Sequence, residues 1–75
     1  MINRNIFANR LKQLRESKQM SSYAVAKNLG ITKQSAHGWE TTKTVPSADK
    51  LVELADLLEC SLDYLVGRSD DPKRR

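Results

Sequence analysis

The chain has 75 residues, with 13 Lys and Arg against 9 Asp and Glu for a net charge of +4, which allows one small domain of modest stability. It has no apolar run long enough to span a membrane, a polar N-terminus without a secretory core, and a single Cys that excludes an internal disulfide; together these fit a reducing cytoplasm. One His, one Cys, no clustered carboxylates and no Gly-rich phosphate loop argue against an enzyme and leave no cofactor or metal to expect.

The first helix is predicted over residues 6–17, capped by Asn5, with Phe7, Leu11 and Leu14 on one face. A second helix starts after Ser21 and buries Val25, Ala26 and Leu29. Gly30 ends it in the left-handed conformation, and Thr32 caps a third helix that turns Ala36 and Trp39 inward. Trp39 is expected to pin that helix to the first and fourth. Residues 41–46 form a polar loop closed by Pro46. Ser47 caps the fourth helix, with Asp49 in its first turn and Leu51, Leu54, Ala55 and Leu58 on its inner face. Cys60 reads as a small buried hydrophobe. Ser61 caps a short fifth helix over residues 62–66, with Asp63 in its first turn and Gly67 beyond its end. With no period-two segment, the fold class is all-α, a compact five-helix bundle over residues 1–67. Residues 68–75 lack apolar side chains and read as a flexible basic tail.

The second and third helices, joined by a short turn containing Gly, form a helix-turn-helix, the arrangement that lays its second helix in a DNA major groove. Lys33, Gln34, His37, Gly38 and Thr41 fall on the outer side of the third helix. Gln34 can bond adenine N6 and N7, and Lys33 can reach guanine or a phosphate. His37 reads equally as a solvated residue or a groove contact. Gly38 costs about 1 kcal/mol in a helix interior; either the backbone approaches DNA closely there or the operator is read with few side chains. Ser35, short and near the helix start, suits a phosphate. So do Ser21 and Ser22 at the start of the second helix, Arg10 on the first, and Lys43 and Thr44 beyond the third. Tyr23 either adds a hydroxyl to that strip or packs at the surface. Glu40 sits at the negative end of the third helix's dipole and near the proposed DNA, so a cation must hold it; Arg15 is the candidate for this structural ion pair.

Charge is segregated along the chain. Residues 1–45 carry eight bases against Glu16 and Glu40, a net of +6, whereas residues 46–67 carry Lys50 against five acids, a net of −4. A polyanion is drawn to the first half and repelled by the second.

Arg10-Leu11-Lys12, Leu14-Arg15, Ser21, Val25-Ala26, Leu29-Gly30-Ile31-Thr32, Trp39-Glu40, Pro46, Leu51, Leu54-Ala55, Leu58 and Ser61-Leu62-Asp63-Tyr64-Leu65 resemble the lambda-repressor-like helix-turn-helix family, the Cro/CI or Xre type. The resemblance covers roughly residues 6–67. It implies a five-helix bundle that binds operator DNA, usually as a two-fold dimer on a palindromic site. The family's base contacts map onto Lys33, Gln34, Ser35, His37 and Gly38, and its buried Arg–Glu pair onto Arg15 and Glu40. Its phosphate contacts map onto Arg10, the start of the second helix, Lys43 and Thr44. The chain departs from the usual pattern in three places: Ser22 stands where Gln is common, Thr42 where Gly is usual, and Gly38 where Gly is seldom found.

These readings converge on a sequence-specific transcriptional regulator, a repressor acting as a homodimer on double-stranded DNA, with no second domain, membrane contact or small-molecule ligand expected. Leu62, Tyr64 and Val66 are the expected dimer surface. The rival reading is an antitoxin or anti-repressor whose main task is to bind a partner protein through the tail and the acidic fourth and fifth helices.

Overall fold

Asn3, Ser21, Thr32, Ser47 and Ser61 all stand in extended backbone conformation, and each side chain accepts the amide N–H three residues ahead, at 3.0–3.3 Å. Each thereby satisfies one of the orphan donors at a helix start. The five caps open α1 (Arg4–Ser17), α2 (Ser22–Leu29), α3 (Lys33–Glu40), α4 (Ala48–Leu58) and α5 (Leu62–Leu65). This is a computed structural model, and it describes residues 2–73. The first helix begins two residues earlier than the sequence suggested. Asn3 rather than Asn5 is the cap, and Asn5 lies within the first turn.

The helix ends share a second device. Gly30 takes the left-handed conformation (φ 67°), the Ile31 amide donates to the Ala26 carbonyl and the Gly30 amide to Lys27, the paired bonds of a Schellman ending. The same bonds close α1 around Gln19 and α4 around Glu59, both at positive φ without being Gly. At α3 the Lys43 amide reaches back to the Gly38 carbonyl, with Thr42 left-handed at φ 65°. The turn that Gly usually supplies is therefore made here by a β-branched residue, in a region such residues rarely enter.

One cluster of buried side chains joins all five helices: Phe7 and Leu11 of α1, Val25 and Leu29 of α2, Trp39 of α3, Leu54, Ala55 and Leu58 of α4, Leu65 of α5, and Cys60 between the last two. Cys60 is 2% exposed. Leu14 and Leu51, expected inside, pack against the cluster's edge. Trp39 shares this cluster with Phe7 and Leu11 of α1 and with Leu54 and Leu58 of α4, while the α3 backbone packs most closely on α2 and α1. The radius of gyration, 10.9 Å, is close to the ~11 Å expected of a packed chain this long.

Residues 68–73 fold back over α5. The Arg68 and Ser69 amides donate to the Asp63 carbonyl, and the Ser61 amide donates to the carbonyl of Pro72 at 2.9 Å. The described part of the segment read as a tail thus carries specific hydrogen bonds to the bundle; residues 74 and 75 lie outside the described residues. Among the described residues, no helix is long and apolar enough to cross a membrane.

Candidate nucleic-acid interface

With its cap fixed by Thr32 and its inner face by Ala36 and Trp39, α3 turns Lys33, Gln34, Ser35 and His37 to the exterior, all four exposed. The loop after α3 doubles back along it. The amides of Lys43 and Thr44 both donate to the Gly38 carbonyl, at 3.0 and 3.3 Å. The Arg4 guanidinium donates to the carbonyl of Lys43 at 3.1 Å and braces the loop from the start of α1. Together Ser22, Lys33, Gln34, Ser35, His37, Gly38, Lys43 and Thr44 line a shallow hollow of about 820 Å³. Three elements, α2, α3 and the loop that follows it, thus bring most of the expected contact residues onto one concave face.

Gly38 is buried in this face. A methyl group built on its Cα would stand 2.9 Å from Thr44 Oγ1, so a side chain at 38 is replaced by the returning loop. Neither explanation read from the sequence, close approach to DNA or a sparsely read operator, is needed for this glycine. The signal lies six residues downstream, in Thr44.

Glu40, at the end of α3, is held as the dipole argument requires. Arg15 grips it side-on, with Nε to Oε2 at 2.8 Å and Nη2 to Oε1 at 2.9 Å; the two side chains are 13% and 12% exposed. The remaining guanidinium nitrogen, Nη1, donates to the Met20 carbonyl. Ser22 Oγ donates to Glu40 Oε2 at 3.1 Å. Burial pushes the Glu40 carboxyl upward, but the bonds and charge of Arg15, the Ser22 hydroxyl and the charge of Lys12 outweigh it and hold Glu40 below the usual carboxylate range. Hydrogen bonding to Glu40 raises the Arg15 guanidinium in turn, against a smaller burial effect. The neutralised pair keeps the one acid of α3 from opposing an anion.

One expected phosphate contact is corrected, and another is narrowed to its backbone. Arg10 lies away from the face: its guanidinium donates to the carbonyls of Tyr64 and Ser69 and to the Asp70 carboxylate, and its side chain is only 16% exposed. The Ser22 hydroxyl proton is committed to Glu40, so its side chain has no donor left for a phosphate, although its backbone lies at the start of α2. Ser21 and Ser35 differ. Ser21 Oγ accepts from the Ala24 amide and Ser35 Oγ from the Thr32 hydroxyl, so neither hydroxyl proton is committed among the described residues. Tyr23 is 59% exposed beside them. Arg4 was missed, because nothing in the linear pattern shows that the start of α1 meets the loop after α3.

Of the expected dimer residues, Leu62 is 39% exposed, while Tyr64 and Val66 are half-buried and one face of the Tyr64 ring is covered by Arg10. Val52 of α4, 51% exposed and lining the same cleft as Leu62, was also missed.

A helix-turn-helix family model matches residues 11–65. The chain belongs to that family. Its kind is the lambda-repressor-like one: over 85% of this chain and 97% of the other, it superposes on the P22 c2 repressor in complex with a synthetic operator, with a TM-score of 0.79 at 26% identity. It is 40% identical over 67 residues to the HTH-type transcriptional regulator YobD of Bacillus subtilis, covering 89% of this chain and 60% of that protein. The chain spans from 30% to 60% of the length of the curated relatives it matches. The fold also occupies 33% of the hydroxypropylphosphonic acid epoxidase of S. wedmorenis, at 30% identity over 83% of this chain and a TM-score of 0.75. That likeness is confined to a third of the enzyme and brings no chemistry with it. The family is one of transcriptional regulators.

Proposed function

We propose that this helix-turn-helix protein is a sequence-specific regulator of transcription that lays α3 in the major groove of duplex DNA. The observation that carries the proposal is the composition of the concave face: Lys33, Gln34, His37 and Lys43 converge there with small hydroxyl residues, and among the described residues no carboxylate lines it. Lys33, Gln34 and His37 read base edges. Ser21, Tyr23, Ser35 and Lys43 hold the flanking phosphates, and the start of α2 offers backbone N–H groups to an anion. The +6 balance of residues 1–45 draws this side toward DNA, and the −4 balance of residues 46–67 turns the opposite side away.

The P22 c2 repressor's complex with an operator supports repression by occupying a promoter in the cytoplasm. A homodimer on a palindromic site would place two copies of α3 about 34 Å apart, one turn of the duplex. Leu62, joined by Val52, offers the exposed apolar contact for that pairing, with Tyr64 and Val66 behind it.

Selection of bound sequences from random duplex DNA, repeated at two salt concentrations, tests this reading. A palindromic consensus whose affinity falls steeply with salt is expected. Enrichment of no sequence at low ionic strength would overturn it.

A further inference from the structure

We propose that Thr44, a loop residue outside the reading helix, serves as one of its base-reading side chains in place of the one that Gly38 lacks. The inference rests on the reading of α3 as the element that enters the groove. Positions 34 and 38 are one helical turn apart and share a face of α3. Gln34 fills the first, and Gly38 leaves the second without a side chain. Thr44 Oγ1 stands 2.9 Å from where the missing Cβ would be, and Thr44 lines the hollow together with Gln34 and His37. The Cβ positions of 34 and 38 lie about 5–6 Å apart along this face, and the Thr44 hydroxyl stands beside the second.

Three contacts fix the backbone that carries that hydroxyl. The Lys43 and Thr44 amides are both bonded to the Gly38 carbonyl. Arg4 donates to the Lys43 carbonyl. Thr44 is exposed, and its hydroxyl makes no hydrogen bond among the described residues. A threonine hydroxyl can donate to or accept from a base edge. Successive base pairs rise about 3.4 Å, so Thr44 meets a base pair one or two steps from the one read by Gln34. The sequence suggested a phosphate contact for Thr44 because it lies beyond the end of the helix; the return of the loop moves it onto the reading face.

The test is selection from random duplex DNA with the wild type, T44V, T44S, G38A and Q34A. T44V removes the hydroxyl at constant shape. It should lose about 3- to 10-fold of preference at a single base pair, the range of one net hydrogen bond, one or two steps from the position lost in Q34A. Its affinity for non-specific duplex and its salt dependence should match the wild type, and T44S should retain the preference. In G38A the new methyl displaces the Thr44 hydroxyl, so the same base pair as in T44V should lose its preference. Thermal melting of each variant checks the fold, which an exposed Thr leaves intact.

A T44V variant that weakens all duplexes equally, with a flatter salt dependence, would make Thr44 a phosphate contact and overturn the proposal. So would a T44V variant indistinguishable from the wild type. If Q34A still shifts one position in those cases, only the Thr44 assignment falls. If Q34A also changes nothing, the reading of α3 falls with it.

Discussion

The guanidinium of Arg10 lies over the ring of Tyr64, 4.0 Å from its centroid, while its Nη1 donates to the carbonyls of Tyr64 and Ser69. A single α1 side chain thereby fastens α5 and the segment that follows it. Only a planar fork can stack on the ring while one nitrogen serves two carbonyls and the other the Asp70 carboxylate. Arg10→Lys should therefore lower stability by about 1–2 kcal/mol, read as the midpoint of urea unfolding. The salt dependence of DNA binding should not change. A normal midpoint in Arg10→Lys, with a salt slope reduced by about one unit in the uncharged Arg10→Met, would instead return Arg10 to the phosphate strip.

Arg15 and Glu40 are bonded twice in a largely desolvated setting. Removing either partner leaves an uncompensated charge, so Arg15→Met and Glu40→Leu should each cost about 3–5 kcal/mol. The double variant should be much less destabilised than the sum of the two. A double-mutant cycle in urea measures the coupling, and simple additivity would mean that the pair does not act as a unit.

The sign of the acid response follows from the same carboxylate. Glu40 ionises below its ordinary range in the folded protein and near 4.3 in an unfolded chain. Its contribution is therefore complete above that value and is lost as pH falls through the lower, folded value. Melting temperatures measured between pH 3 and 6 should fall toward acid in the wild type, and this fall should be shallower in Glu40→Gln.

Thr42 holds φ at 65°, a conformation that costs an L-residue roughly 1–2 kcal/mol and a β-branched one more. Glycine avoids that cost but gives up about 0.5–1 kcal/mol of chain entropy on folding. Thr42→Gly should stabilise by about 1 kcal/mol, a rise of roughly 4–8 °C in melting temperature for a domain of this size. A lower melting temperature would contradict the account of the α3 ending.

Gln34 and Lys43 sit on the same concave face but meet different parts of the duplex. Gln34→Ala should relax preference at one base pair by about 1–3 kcal/mol. Lys43→Ala should weaken binding to all sequences alike and reduce the salt slope by about one unit. Affinities measured on the selected site and on unrelated duplex, each at several salt concentrations, separate the two. Identical behaviour of the two variants would refute the division of roles.

Local chemistry was legible in the chain; chemistry brought together by long-range return of the backbone was not. Ser21, Thr32, Ser47 and Ser61 declared four helix starts because a cap acts on an amide three residues away. The first start was placed two residues late, because Asn3 and not Asn5 accepts the amide three residues ahead. The Arg15–Glu40 pair could be inferred across 25 residues because the helix dipole demands a cation for that carboxylate. Arg10 had no such demand on it, and its partners belong to a segment that reads as featureless until it folds back. The reason for Gly38 was equally hidden, since what fills its place is a loop hydroxyl.

The chain's single thiol, that of Cys60, sits at the seam of α4 and α5 with almost no solvent contact. A thiol-specific reagent in native buffer can modify it only in molecules whose C-terminal corner has momentarily come apart. The labelling rate of the unaltered protein is thus an internal gauge of that opening, and a ligand that tightens the bundle should slow it without any engineered probe.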